Sequence, residues 1–431
     1  MSQAPVLNIP ADILYTSSKP KLPDGSDHYD NQLAPTSGSG TYTAGDVFYF
    51  DLPSANFANF EDSLYIRAKL NWVNGGASGT VACNVIGTPL YTWISKLETI
   101  INSTTYESIT NVGAVANMFV NSQLNVSQKA GSYNLGYNLA NGYQSAAVGF
   151  GSAQSIPLSG PVPCCLSACN QLVPMFACPL VRLQFTVAQL VDVFSLGSTA
   201  TATLPTSFTV SDIRLCYKSV SFGPVVQNYV QSMMPNIMIK TQVLQVMTQP
   251  IAQFTGQQDL TFNMRNQSIK SLFGLISNGS NCVNRLQDAI DITNGAGTYQ
   301  FSINSKYYPS FPLNTSVNKA QFMSELKMAV SASSGHDIQA ANMTNTFTEF
   351  NQLGSSTTTG AIMGKFYVGV NTEKHMSNSY MLSGVSTRDA PIIYSINSSG
   401  TTSSAGTVIM IVLADAMLEI DVVGKSARLS S

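Results

Sequence analysis

The feature that most constrains this chain is an internal repeat. Pro53-Ser54-Ala55-Asn56-Phe57, followed by Glu61-Asp62, returns 197 positions later as Pro250-Ile251-Ala252-Gln253-Phe254, followed by Gln258-Asp259. Asp212-Ile213-Arg214-Leu215 runs on to Lys218-Ser219-Val220. It returns 207 positions later as Glu419-Ile420-Asp421-Val422, running on to Lys425-Ser426-Ala427. A pattern met at the start and the finish of two stretches of similar length implies one fold used twice. Residues 46–220 and 244–427 are therefore expected to superimpose strand for strand, with Phe57 matching Phe254 and Ile213 matching Ile420.

The two halves meet at Phe222 to Pro235, which reads as a short helix. Gly223-Pro224 opens it, and proline is well tolerated at a first helical position. Val225, Val226, Tyr229, Val230 and Met233 fall on one face, with Gln227, Asn228, Gln231 and Ser232 on the other. Pro235 ends it. The apolar face is expected to lie on the flanking domains, with Tyr229 and Met233 helping to set the angle between them.

Elsewhere the pattern is mostly that of strands. Leu64 to Trp72 alternates, with Leu64, Ile66, Ala68, Leu70 and Trp72 on one face and Arg67, Lys69 and Asn71 on the other. Asp46–Leu52, Leu180–Val187 and Phe208–Val220 read as strands of the first half. Ile237–Met247, Leu260–Met264, Ser268–Ile276, Thr298–Tyr307, Ala361–Val370, Pro391–Ile396, Val408–Leu413 and Met417–Val423 read as strands of the second. Two segments carry helical spacing, Tyr91–Ile101 through Trp93, Leu97 and Ile100 and Val317–Val330 through Phe322, Leu326 and Ala329, and Asn111–Gln128 is a further helix candidate. Many short strands separated by turns imply a sandwich or barrel. Met1 to Gly45 is rich in Pro, Ser and Gly with little periodicity, and reads as an extended arm ordered by what it touches.

At 431 residues the chain is too long for one ordinary core and suits two domains. Charged residues make up only 10%, against about 25% in average soluble domains. A surface so poor in charge suits a subunit covered by neighbours better than a free monomer. The start of the chain lacks the basic and apolar runs of a secretory signal, so the seven cysteines are expected to be reduced and the Asn-x-Ser/Thr sites unused. The Val408–Ala414 run ends at Asp415, too short to cross a bilayer.

Residues that carry chemistry are scarce in pattern. His28, His336 and His375 are far apart and none has metal-ligand spacing. Gly424-Lys425-Ser426 resembles the end of a phosphate-binding loop, but Glu419 stands where that loop needs glycine. Gly149-Phe150-Gly151 lacks the third glycine of a dinucleotide fingerprint. Cys164, Cys165, Cys169 and Cys178 cluster without a Cys-x-x-Cys pair, and read as buried thiols acting as small apolar residues rather than as a zinc site. Lys and Arg are scattered, so no basic groove for nucleic acid is visible. No catalytic, cofactor-binding or metal residue is assigned, and no cofactor is expected.

The order of several motifs resembles that of the double jelly-roll major capsid proteins, the lineage of adenoviruses, virophages, polinton-like viruses, adintoviruses and large eukaryotic DNA viruses. Ile156-Pro157-Leu158 precedes Leu180-Val181-Arg182-Leu183-Gln184-Phe185, and Asp212-Ile213-Arg214-Leu215 ends the first half. Tyr299 to Asn304 runs to Tyr307-Tyr308-Pro309 and Pro312, with the Val317–Val330 helix directly after. Leu382-Ser383-Gly384 and Leu418-Glu419-Ile420 lie near the end. The likeness is closest to the smaller virophage and polinton-like proteins. The cysteine cluster after Ile156-Pro157-Leu158 departs from that pattern.

The resemblance implies an all-β fold of two tandem eight-stranded jelly-roll barrels with short inserted helices. The expected division is an arm over 1–45, a first jelly roll over 46–220, a linker with a short helix over 221–243, and a second jelly roll over 244–431. It implies a major capsid protein with no enzymatic activity, located in the virion and assembled inside the host cell. Its expected partners are two further copies in a pseudo-hexameric homotrimer, neighbouring capsomers, penton and minor capsid proteins, and an internal membrane reached by the N-terminal arm where there is one. Direct sequence-specific nucleic-acid binding is not expected. The alternative class is a carbohydrate-binding or adhesive β protein, which would need a cleft on which aromatic and acidic residues converge.

Overall fold

The computed structural model describes residues 26–38, 40–61, 63–73, 84–85, 88–123, 153–195, 205–277, 289–317, 319–334, 365–374, 382–402 and 405–430. The first half is built from β1 (Asp27–Leu33), β2 (Thr41–Tyr42), β3 (Val47–Leu52), β4 (Phe57–Asn59), β5 (Tyr65–Val73), β6 (Asn84–Val85), β7 (Ile94–Ile101), β8 (Thr104–Thr110), β9 (Ala153–Pro161), β10 (Val173–Pro174), β11 (Val181–Val187), β12 (Phe194–Ser195) and β13 (Phe208–Ser221). One sheet centres on β13. β1 and β2 lie end to end along one of its edges, β4 and β5 along the other, and β9 adds to β5. The facing sheet has the order β3-β11-β7-β8. Its strands alternate because every second residue is large and apolar: Phe48, Phe50 and Leu52 on β3 meet Val181, Leu183 and Phe185 on β11, all buried. The Phe48 and Phe185 rings stack at 5.4 Å, and Phe50 meets Phe185 edge-on at 5.8 Å.

The second half comprises β14 (Asn236–Ile251), β15 (Gly256–Phe262), β16 (Ile269–Ser277), β17 (Gly297–Ile303), β18 (Lys306–Asn314), β19 (Val368–Asn371), β20 (Ile392–Ser398), β21 (Gly406–Asp421) and β22 (Ser426–Ser430). Its sheets have the orders β14-β21-β16-β19 and β15-β20-β17-β18. Helix α1 (Val112–Gln123) follows β8, helix α2 (Gly223–Met233) joins the halves, and helix α3 (Lys319–Ser334) follows β18. All ladders between these strands are antiparallel. The same strand takes the same place in each half: β1 with β2 answers β14, β3 answers β15, β5 answers β16, β7 answers β17, β8 answers β18, α1 answers α3, β9 answers β19, β11 answers β20, and β13 answers β21. Two tandem jelly rolls result, as the sequence implies.

The repeat is real, but one of its two motifs sits one strand out of step. Ile213 and Ile420 lie on the equivalent strands β13 and β21. Phe57 lies on β4, between β3 and β5, whereas Phe254 lies in the link from β14 to β15. The Pro-x-Ala-x-Phe pattern marks a strand exit in both halves, but after different strands. The place β4 fills beside β13 is filled beside β21 by the last strand, β22.

Five further expectations change. The arm expected over 1–45 is strand in part: Asp27–Leu33 runs along β13 from Ser221 to Leu215, and Thr41-Tyr42 continues the edge. These residues hold their place by backbone pairing and their outer face is wet, so they lack the periodicity of a buried strand. The linker is shorter than 221–243, since β14 begins at Asn236. Tyr91–Ile101 is not a helix. One turn at Pro89–Thr92 is followed by strand β7, whose pairing shifts at Ser95 (Thr186 faces Lys96 and Val187 faces Ile94). That bulge puts buried Ile94 and Leu97 three apart and imitates helical spacing. Val408–Leu413 and Met417–Val423 form one strand, β21, and Thr298–Tyr307 divides at an Asn304-Ser305 turn into β17 and β18.

The interior of the second barrel is one apolar cluster that includes Phe262, Tyr299, Phe301, Phe322 and Tyr394. The first barrel's core does not end at the first barrel. It continues through the outer face of the β14-β21-β16 sheet, taking in Ile239, Val243, Phe273, Leu275, Ile409, Ile411 and Leu413. The two barrels are fused by a shared core.

Candidate assembly surfaces and the joint between the barrels

The joint has an apolar part and a polar part. On the apolar side α1 lies against α3 and the outer face of β16. Phe119 of α1 meets Phe273 of β16 edge-on at 5.5 Å, and the Asn121 amide donates to the Tyr367 hydroxyl at 3.0 Å. The polar part is Glu107 of β8, a buried carboxylate that joins three pieces of chain. Its Oε2 accepts from the Cys165 backbone N–H at 2.7 Å and from the Thr99 hydroxyl at 3.2 Å. Its Oε1 accepts from the Leu244 N–H of β14 at 3.0 Å. Burial pushes the Glu107 carboxyl up to about 7, the N–H donors of Leu244 and Cys165 pulling the other way. The Thr241 hydroxyl of β14 donates to the Cys165 carbonyl, and the Asn170 N–H donates to the Lys240 carbonyl at 3.4 Å. Glu107 had no signal in the sequence: its flanks, Tyr106 and Ser108, are those of an ordinary strand.

The cysteine segment is thus a strap that helps tie β14 to the first barrel. Cys164, Cys165, Cys169 and Cys178 are all buried free thiols. Burial pushes Cys164, Cys169 and Cys178 up to about 12, so they stay protonated and inert. Among the described residues no group of His, Cys, Asp and Glu is arranged to hold a metal ion. His28 is exposed on β1, while His336, His375 and Gly149–Gly151 lie outside the described residues. Gly424-Lys425 forms the turn into β22, where Asp421 Oδ1 accepts from the Val423 and Gly424 N–H groups.

Helix α2 is placed differently from expectation. Phe222 at its start meets Phe57 edge-on at 5.2 Å, and Val230 is buried. Val225, Tyr229 and Met233, one turn apart, are 79, 55 and 67% exposed, and Met238 at the start of β14 is 60% exposed. The apolar face is split: Val230 is buried and Val226 half-buried, while Val225, Tyr229 and Met233 face outward instead of lying on the barrels. From Gly223 to Ile239 the chain carries no charged residue.

Solved structures align with nearly the whole chain. The Faustovirus major capsid protein aligns with a TM-score of 0.61 at 9% identity, covering 95% of this chain and 92% of that one. The chain has the double jelly-roll fold of major capsid proteins. A chain of the Sputnik virophage aligns at 0.58 and 12% identity, covering 100% and 92%, and the mavirus major capsid protein at 0.53 and 10%, covering 100% and 95%. At these identities the likeness is one of fold, and it holds for the Faustovirus protein as well as for the virophages. No protein-family model matches the sequence, and no curated protein matches it.

Proposed function

We propose that this chain is a major capsid protein, the structural subunit of an icosahedral virion, and that it works as a homotrimer. The observation that carries the reading is two like jelly rolls fused side by side by one continuous core. A rigid pair of similar barrels presents two similar corners, and three such pairs around a threefold axis present six. A nearly hexagonal block tiles a closed shell with small adjustments. The ring closes through a heterologous contact, one flank meeting a different flank, and so can stop at three.

The surface supports this. A single chain leaves an uncharged apolar stripe on α2 and the start of β14 uncovered, which is what a subunit with neighbours leaves. Permanent interfaces of this type bury about 2,000–5,000 Å² and are rich in apolar atoms. On this reading the domains run from Asp27 to Ser221 and from Asn236 to Ser430, with α2 between them. Neighbouring capsomers, penton and minor capsid proteins are the partners, and the N-terminal arm is the part that would reach an internal membrane. The chain is assigned no catalytic role, and its place is the virion, assembled inside the host cell. Mass photometry of the purified protein tests the trimer: a species of three chains is expected at micromolar concentration, and a stable monomer or dimer with no trimer overturns the reading.

A further inference from the structure

The second barrel holds a buried group of three ionisable side chains. Lys270 is on β16 at the point where the pairing with β21 shifts, between Ile269 opposite Ala414 and Ser271 opposite Leu413. Asp415 follows on β21, and Glu373 lies just after β19, so the three come from three neighbouring strands with the lysine in the middle. Their side chains are 2, 3 and 4% exposed. The Lys270 Nζ is 3.1 Å from Glu373 Oε1 and 3.9 Å from Asp415 Oδ1. The two Asp415 oxygens differ. Oδ2 accepts from the Ser268 hydroxyl at 2.9 Å, while Oδ1 faces Lys270 and has no hydrogen-bond partner among the described residues. Ser268 is held in turn by the Gly384 N–H at 2.8 Å, and Glu373 Oε1 also accepts from the Ser383 hydroxyl at 2.9 Å. The Leu382–Val385 segment lies against the site through Ser383 and Gly384. Val385 pairs its backbone with Ile269, and a Cβ on Gly384 would overlap the Ile269 carbonyl.

We propose that this is a site of self-catalysed covalent cross-linking, in which Lys270 and Asp415 condense to an isopeptide bond with Glu373 carrying the proton. The Lys270 ammonium gives one proton to Glu373 Oε1, and the resulting amine adds its lone pair to Cγ of Asp415. The oxyanion of the tetrahedral intermediate is Oδ2, where the Ser268 hydroxyl already donates. Oδ1 is the leaving oxygen. It takes one proton from Glu373 and one from the attacking nitrogen, and departs as water while the Cγ–Oδ1 bond breaks. Ammonium and carboxylate become amide and one water, with no oxidant, reductant or activating group needed. Holding both reactants in a dry site replaces a bimolecular encounter by an intramolecular one. The same dryness makes the unreacted charges costly to keep, so condensation removes two of them. The bond would tie β16 to β21 and close a covalent loop around most of the second barrel, a use that stands whatever the chain assembles into.

The test is the intact mass of the full chain, purified folded, held overnight, then fully denatured. The expected result is a mass lower than the sequence by one water, together with a branched proteolytic peptide containing both Lys270 and Asp415. A Glu373→Gln chain that folds by circular dichroism is expected to keep its full mass. A folded wild-type chain at full mass overturns the proposal. So does a loss of water without the branched peptide, as a succinimide at an aspartate gives. A Glu373→Gln chain that still forms the branched peptide overturns the assignment of Glu373 as proton carrier.

Discussion

Strands β5 and β16 occupy the same place in the two barrels and have opposite surroundings. β5 pairs with β13 and β9, and β16 with β21 and β19. Along β5 the buried residues Ile66, Ala68, Leu70 and Trp72 alternate with exposed Arg67, Lys69 and Val73 and half-buried Asn71. Along β16 every residue from Ile269 to Ser277 is buried. Ile269, Leu272 and Ile276 belong to the second barrel's own core, while Phe273 and Leu275 belong to the core shared with the first. One strand of a twofold repeat has therefore kept a wet outer face, and its counterpart has been given a dry one. The asymmetry joins the two barrels through one core: the second barrel turns its β14-β21-β16 sheet toward the first, and among the described residues no equivalent packing covers β5.

The largest test of this difference is to truncate one side chain on each strand. Phe273→Ala removes a fully buried ring that meets Phe119 across the joint. It is expected to cost about 3–5 kcal/mol, as other buried aromatic truncations do. Lys69→Ala, on the exposed face of β5, is expected to stay within about 0.5 kcal/mol of wild type. Thermal unfolding at one fixed protein concentration reads both. Similar costs for the two would mean that the outer face of β16 is not a packed face.

The second test uses the polar part of the joint. Glu107 ordinarily titrates at 4.5, and burial holds it near 7 in the folded chain. Below about pH 4.5 it is protonated in both states and costs nothing. As pH rises from 4.5 to 7 the unfolded chain loses the proton first, so stability falls through that window and levels off above it. The full penalty is about 3 kcal/mol, at 1.36 kcal/mol per pH unit of displacement. Urea unfolding between pH 4.5 and 8 is expected to show this decline, and Glu107→Gln to flatten it. The amide cannot accept from both the Leu244 and the Cys165 N–H through separate oxygens, so the variant should be weaker than wild type at pH 5 and closer to it at pH 8. An unchanged slope in Glu107→Gln would place the titration elsewhere.

What the sequence revealed follows the same asymmetry. Strands with one wet face, such as β5 and β11, announce themselves by alternation. Strands with two dry faces, such as β21 from Val408 to Ala414, announce themselves by a continuous apolar run. The elements that misled are those whose environment is made by something distant. β1 is held by its backbone ladder to β13 rather than by buried side chains, so its side chains carry no pattern. β7 carries a bulge that only its pairing with β11 discloses. The apolar face of α2 was legible as a stripe, but whether a stripe lies on its own chain or on a neighbour is not written in its spacing. Glu107, Lys270, Glu373 and Asp415 were invisible for a similar reason. Each sits in a strand or turn with no motif around it, and only the fold brings their partners within reach.

The smallest expected effect separates the two first strands, β1 and β14. β14 pairs with β21 without a break from Asn236 to Ile251, and buries Ile239, Thr241 and Val243 toward the joint. β1 pairs with β13 only from Asp27 to Leu33 and exposes Asp27, His28, Tyr29 and Asp30 in succession. Its main side-chain anchor is Asn31, whose amide donates to the Ser219 hydroxyl at 2.9 Å. A strand with backbone hydrogen bonds and few buried side chains opens locally at low cost, whereas one packed into a core opens only with the whole domain. Amide hydrogen exchange on the isolated protein is therefore expected to release β1 well before β14, without change in the unfolding temperature. In assembled particles β1 should gain protection, because a neighbour then covers its wet face. Exchange from β1 as slow as from β14 in the isolated subunit would show that the first barrel closes its edge as firmly as the second does.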